Sequence, residues 1–144
     1  MYDRLLFWEK FINPVKILAF RENSNELKLQ IIQLLTQNHN LFYSITKSHD
    51  EITIIIDNSI ELFHNYDYRE EYIAYNLLNI GSLMEESGLI KKITTILNHY
   101  NIPIMYLTSF NNNYLFVPKN YEEITDQLVK NGLDYEAELE KINK

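Results

Sequence analysis

The residues best placed to do chemistry lie in one short stretch, Gly81-Ser82-Leu83-Met84-Glu85-Glu86-Ser87-Gly88. Behind it runs an apolar stripe at helical spacing, Leu89, Ile93, Ile96 and Leu97, so the stretch reads as a loop opening a helix. The first turn of a helix carries backbone N–H groups with no intrahelical partner, together with the positive end of the helix dipole, and both favour a carboxylate. Glu86, near the helix start, has the charge to meet an ammonium group, and Ser82, Ser109 and Asn113 can add neutral hydrogen bonds. A carboxylate receptor beside an ammonium acceptor is the complement of a free amino acid. Acidic residues are favoured in first helical turns for dipole reasons alone, so neither Glu86 nor Gly88 carries this reading unaided.

Other constellations are poorer. The histidines His39, His49, His64 and His99 show no metal-ligand spacing, and the lack of cysteine removes disulfides, thiolate metal sites and cysteine nucleophiles together. Ser109 has no nucleophile-elbow context, and no phosphate loop or dinucleotide fingerprint is present. Tyr66, Tyr68, Tyr72 and Tyr75 lack flanking cations and read as packing residues with a wet hydroxyl. With 13 basic residues scattered among 20 acidic ones, the net charge of -7 speaks against nucleic acid. No catalytic residue, metal or cofactor is therefore expected. No apolar run is long enough to span a bilayer and no signal peptide is recognisable, so a cytoplasmic protein with no membrane partner is expected.

The elements that must position the loop come from an internal repeat. Shifting residues 15 to 56 forward by 62 positions brings Leu27, Ile31, Leu34 and Leu35 onto Leu89, Ile93, Ile96 and Leu97. The same shift brings Phe42, Ile45, Thr46 and Ile55 onto Ile104, Leu107, Thr108 and Val117. Such an echo marks two copies of one supersecondary unit, here residues 1–70 and 71–144, packed as one compact body.

In the first copy a strand Val15 to Phe20, a helix Glu26 to Gln37 and strands Leu41 to Thr46 and Ile52 to Ile56 are predicted, followed by a weak stretch from Asn58 to Asn65. The second copy has a strand Tyr72 to Ile80, a helix Gly88 to Tyr100, a hairpin of Ile102 to Thr108 with Tyr114 to Val117, and a helix Tyr121 to Asn131 ending at Gly132. One strand is missing from a doubled set, and Arg4 to Phe11 can supply it, so strands are expected to be exchanged between copies. The tail, Leu133 to Lys144, suits an edge strand or a helix. The expected fold is α+β, with antiparallel sheets covered by helices on one face.

This pattern resembles tandem ACT domains, which are ferredoxin-like βαββαβ ligand-sensing modules. The stretch Gly81 to Ile90 is similar to the glycine-rich helix entry of the cytosolic arginine sensor (CASTOR) family, and Ile102 to Pro118 to that family's second hairpin. Leu41 to Thr46 with Asp50 to Asp57 resembles its first hairpin, and the chain has the length of one half of such a sensor. The resemblance implies a regulatory protein without catalysis that binds an amino acid where domains or subunits meet, a homodimer, and a regulatory protein partner. It implies a site made of Gly81, Ser82, Glu86, Ser87 and Gly88, with Pro103, Ile104, Ser109, Phe110 and Asn113 from the hairpin. Asn113 stands where the family has an acid and cannot form a charged pair with a guanidinium, which disfavours arginine as the ligand. The other reading of the same residues is a ligand-free interaction module with a decayed pocket.

Overall fold

The computed structural model describes residues 2–5, 8–21, 24–37, 40–63, 71–77, 91, 93–109, 112–130 and 140. In chain order the elements begin with strands β1 (Tyr2–Leu5), β2 (Trp8–Phe11) and β3 (Val15–Phe20) and helix α1 (Asn25–Gln37). Strands β4 (Tyr43–Lys47), β5 (Ile52–Asp57) and β6 (Glu71–Leu77) come next, then helix α2 over residues 93–99. Strands β7 (Met105–Thr108) and β8 (Asn113–Pro118) lead through a 3-10 turn, Lys119–Tyr121, into helix α3 (Glu122–Lys130). The fold is mixed α/β, and every strand pair with a described register is antiparallel.

The chain divides into two compact units: Asn13–Tyr72, and Met1–Ile12 together with Ile73–Lys144. The N-terminal residues thus count with the second half of the sequence, because β2 pairs with β6 at Trp8↔Leu77, Glu9↔Asn76 and Lys10↔Tyr75. The single strand expected over Arg4 to Phe11 is instead two, β1 folding back on β2 with Leu5 opposite Trp8.

In the α1 unit, β3 lies between β5 and the first residues of β6, and β4 forms the outer edge against β5. Strand alternation sends Leu18, Phe20, Ile54 and Ile56 to one face, where they cluster with Leu27 and Leu34 of α1 and with Ile60 and Phe63. Burying each such side chain is worth about 1.5–3 kcal/mol. Helix α1 starts at Ser24, whose Oγ accepts from the Leu27 N–H at 3.1 Å while its carbonyl accepts from the Lys28 N–H at 3.1 Å. The weak stretch after β5 is a turn and irregular chain as far as Phe63. Phe63 has φ 63°, a left-handed conformation that costs a bulky residue about 1–2 kcal/mol. Two interactions offset that cost: its N–H donates to Gln30 Oε1 at 2.6 Å, and its fully buried ring packs on Phe20 at 5.8 Å.

In the α2–α3 unit the strand order is β1-β2-β6-β8-β7. Trp8, Ile73, Tyr75, Leu77, Leu115 and Val117 from the sheet meet Ile93, Ile96 and Leu97 of α2 and Leu128 and Val129 of α3 in one cluster. Helix α2 ends at a left-handed Asn101, φ 56°, a conformation asparagine tolerates. The Ile102 N–H then donates to the Leu97 carbonyl and the Asn101 N–H to the Asn98 carbonyl, each at 3.0 Å, which satisfies two terminal carbonyls in a Schellman arrangement. That cap and Pro103 delay the next strand, so β7 begins at Met105 rather than at Ile102. Tyr121 belongs to the 3-10 turn and α3 proper starts at Glu122. The tail expected over Leu133 to Lys144 lies outside the described residues apart from the helical Glu140.

Candidate functional site

Of the residues expected to bind a ligand, Gly81, Ser82, Glu86, Ser87, Gly88 and Phe110 lie outside the described residues. The other four fall at the two ends of β7. Ser109 and Asn113 sit together at the tip of the β7–β8 hairpin, where Thr108 is opposite Asn113 and the Ser109 N–H donates to the Asn112 carbonyl at 2.9 Å. Alternation along β8 places Asn113 on the same face as Leu115 and Val117, the face covered by α2 and α3. Pro103 and Ile104 precede β7, so the four residues of that strand, about 13 Å, separate them from the tip. One group of side chains at the tip therefore does not include Pro103 or Ile104.

Ile104 borders a different feature, an open depression of about 420 Å³ beside α2. Thr94, Thr95 and Asn98 supply its polar wall, and Leu97 and Ile102 its apolar one. The hydroxyls of Thr94 and Thr95 both donate to the Lys91 carbonyl, at 3.1 and 2.7 Å, so the helix backbone already holds them. Among the described residues, none that lines the depression is charged.

At the hairpin tip the structure adds a residue that no motif marks. Asn76, at the end of β6, donates through Nδ2 to Asn112 Oδ1 at 3.2 Å, tying β6 to the hairpin. Its own Oδ1 is buried and has no hydrogen-bond partner among the described residues. Asn76 and Asn112 alternate onto the face opposite Asn113, so the tip presents neutral amides on both sides of the sheet. Sequence reading could have found Asn76 only as the polar break in the otherwise apolar run Tyr72 to Leu78.

A second polar group in this unit was also unmarked by any motif. Lys10 and Tyr75 are directly opposite one another on β2 and β6, and both reach α3. Lys10 Nζ donates to Asp126 Oδ2 and Glu122 Oε2, each at 2.7 Å, and the Tyr75 hydroxyl donates to Asp126 Oδ1 at 2.5 Å. Burial works to lower the Lys10 pKa, but the hydrogen bonds and charges of Asp126 and Glu122 outweigh it and raise it above the usual lysine value. Burial, and then the bond to Asp126, push the Tyr75 phenol far up. Both groups are held protonated, and each donates to a carboxylate of α3. The arrangement clamps the helix to the sheet and presents no free base or nucleophile.

No protein-family model matches the sequence, and no curated protein matches it either. Solved structures do. A structural-genomics protein from Agobacterium tumefaciens superposes with a TM-score of 0.62 at 17% identity, over 83% of this chain and 82% of that one. Aspartate kinase from Clostridium acetobutylicum, described as an allosteric enzyme, superposes with a TM-score of 0.59 at 14% identity. It is matched by 89% of this chain, which spans 33% of the kinase. Escherichia coli aspartokinase III, solved with aspartate and ADP, gives a TM-score of 0.56 at 18% identity, with 89% of this chain spanning 32% of that one. These likenesses support an ACT-like fold. No described helix is long and apolar enough to cross a membrane.

Proposed function

We propose that this chain is a cytoplasmic, non-catalytic regulatory protein that binds an amino acid at the loop of residues 81–88 against the β7–β8 hairpin. The observation that carries the reading is the ACT-like fold shared with part of two aspartate kinases, one of them described as allosteric. Within that fold, Asn113 lies on the helix-covered face at the hairpin tip beside Ser109, where both can offer neutral hydrogen bonds. The loop's backbone N–H groups receive the ligand carboxylate, and Glu86 pairs with its ammonium group. Asn113 in place of an acid points to a small ligand without a guanidinium. The chain forms a homodimer whose equivalent contacts create two sites, and occupancy changes its affinity for a regulatory partner.

Thermal-shift screening of the whole chain against the twenty amino acids tests the reading. Saturable stabilisation by one of them, lost in Glu86→Ala, is the expected result. No shift with any amino acid at about 1 mM, a level that would still detect micromolar affinity, overturns it in favour of a ligand-free interaction module.

A further inference from the structure

The end of the α1 unit that corresponds by the repeat to the hairpin tip is charged where the second copy is neutral. Phe20, Ile52 and Lys47 lie directly opposite one another on β3, β5 and β4, so they form one row across three strands. Residues opposite one another in antiparallel strands share a face, which puts Lys47 on the same side as Phe20 and Ile52. Phe20 is buried and Ile52 packs against its cluster, so the row offers an apolar floor with an ammonium group at its edge. Arg21 comes directly after Phe20, and the β4–β5 turn closes the other side.

These residues line an open pocket of about 220 Å³. Arg21 and Lys47 are both exposed and form no ion pair among the described residues. The turn is itself satisfied: the Ser48 N–H donates to the Glu51 carbonyl at 2.9 Å, and the Glu51 carboxylate accepts from Thr53 Oγ1 at 3.4 Å. Glu51 is therefore engaged by its adjoining strand. Under the 62-residue shift Arg21, Lys47 and Ile52 correspond to Leu83, Ser109 and Tyr114, so the positive pair belongs to the first copy alone.

The geometry points to a second binding site here, for a small organic carboxylate with an apolar body. The acid group is met by Arg21 and Lys47, and the body rests on Phe20 and Ile52. Asp50 and Glu51 also line the pocket and offset part of the field of the two cations, which opposes a phosphate carrying more negative charge. The site stands within one unit.

Calorimetric titration of the full chain with 4-methylvalerate and with L-leucine, which differ by one ammonium group, tests the assignment. Saturable binding of at least one is expected, loosened about tenfold or more in Arg21→Gln and in Lys47→Gln. Both basic residues are exposed, so unchanged melting of the ligand-free variants confirms that folding is intact. Absence of saturable binding by either carboxylate up to about 10 mM overturns the site. So does 4-methylvalerate binding that survives the double variant, or inorganic phosphate binding as tightly. Loss in Glu86→Ala with retention in Lys47→Gln removes this site and leaves the amino-acid site at 81–88 standing.

Discussion

Leu35 and Leu97 occupy the same position in the two copies of the repeat, yet Leu35 is 49% exposed and Leu97 is 1% exposed. The difference is in what lies above the helix. In the second copy β8 leads on to α3, whose Leu128 and Val129 join Leu97 in one cluster. In the first copy β5 gives way to a turn and to irregular chain as far as Phe63, with no helix among the described residues there. Leu29 and Ile32 are also exposed on α1, whereas their repeat partners on the second copy are Lys91 and Thr94. Equal helix stripes thus acquire unequal burial, because burial depends on whether a further helix succeeds the repeated strands and not on the stripe itself.

Leu97→Ala should destabilise the chain by about 3 kcal/mol, the cost of truncating a fully buried leucine, as read from urea unfolding. Leu35→Ala should cost less than about 1 kcal/mol, and equal effects would refute the assigned difference in burial.

The α3 clamp comes next in size. Lys10→Met leaves Asp126 and Glu122 without their cation, and because both carboxylates keep some solvent contact the expected loss is about 1–2 kcal/mol. The same clamp gives the unit an alkaline limit. The Lys10 pKa is raised on folding, so its stabilisation is complete below the unfolded value of 10.5 and is lost as pH rises through the higher folded value. Melting temperatures measured on either side of pH 10.5 should fall more steeply in the parent than in Lys10→Met.

The cap of α1 is a smaller test, on the first copy. Ser24→Ala removes the acceptor for the Leu27 N–H and should cost about 1 kcal/mol in thermal unfolding. Smallest of all, Ile32→Lys copies the polar character of the second copy onto an exposed position, and a change in stability within about 0.5 kcal/mol is expected. A loss of several kcal/mol there would mean that the α1 face is covered.

Much of the fold was legible because periodicity survives without context. The stripe Leu27, Ile31, Leu34 announced α1, the β-branched run Ile52 to Ile56 announced β5, and Pro118 marked the end of β8. The misses share a cause. Arg4 to Phe11 reads as one apolar run, since nothing local shows that β1 and β2 pair with each other. The resemblance groups Pro103 and Ile104 with Ser109 and Asn113, and only the tertiary structure shows the two pairs at opposite ends of β7. The pairing of Lys10 with Asp126 spans 116 residues and leaves no local trace.

The sequence by itself determined the 62-residue echo of helix stripe and hairpins, and that the glycines flanking residues 81–88 belong to one copy only. Those are local matters of spacing, capping and residue type. Tertiary structure alone decided that the N-terminal strands join the second unit, that Leu97 is buried and Leu35 is not, and that Arg21 and Lys47 converge on one cavity. Each of these depends on strand register between distant segments, and register is set by the sum of packing across a sheet, which no single stretch of chain encodes.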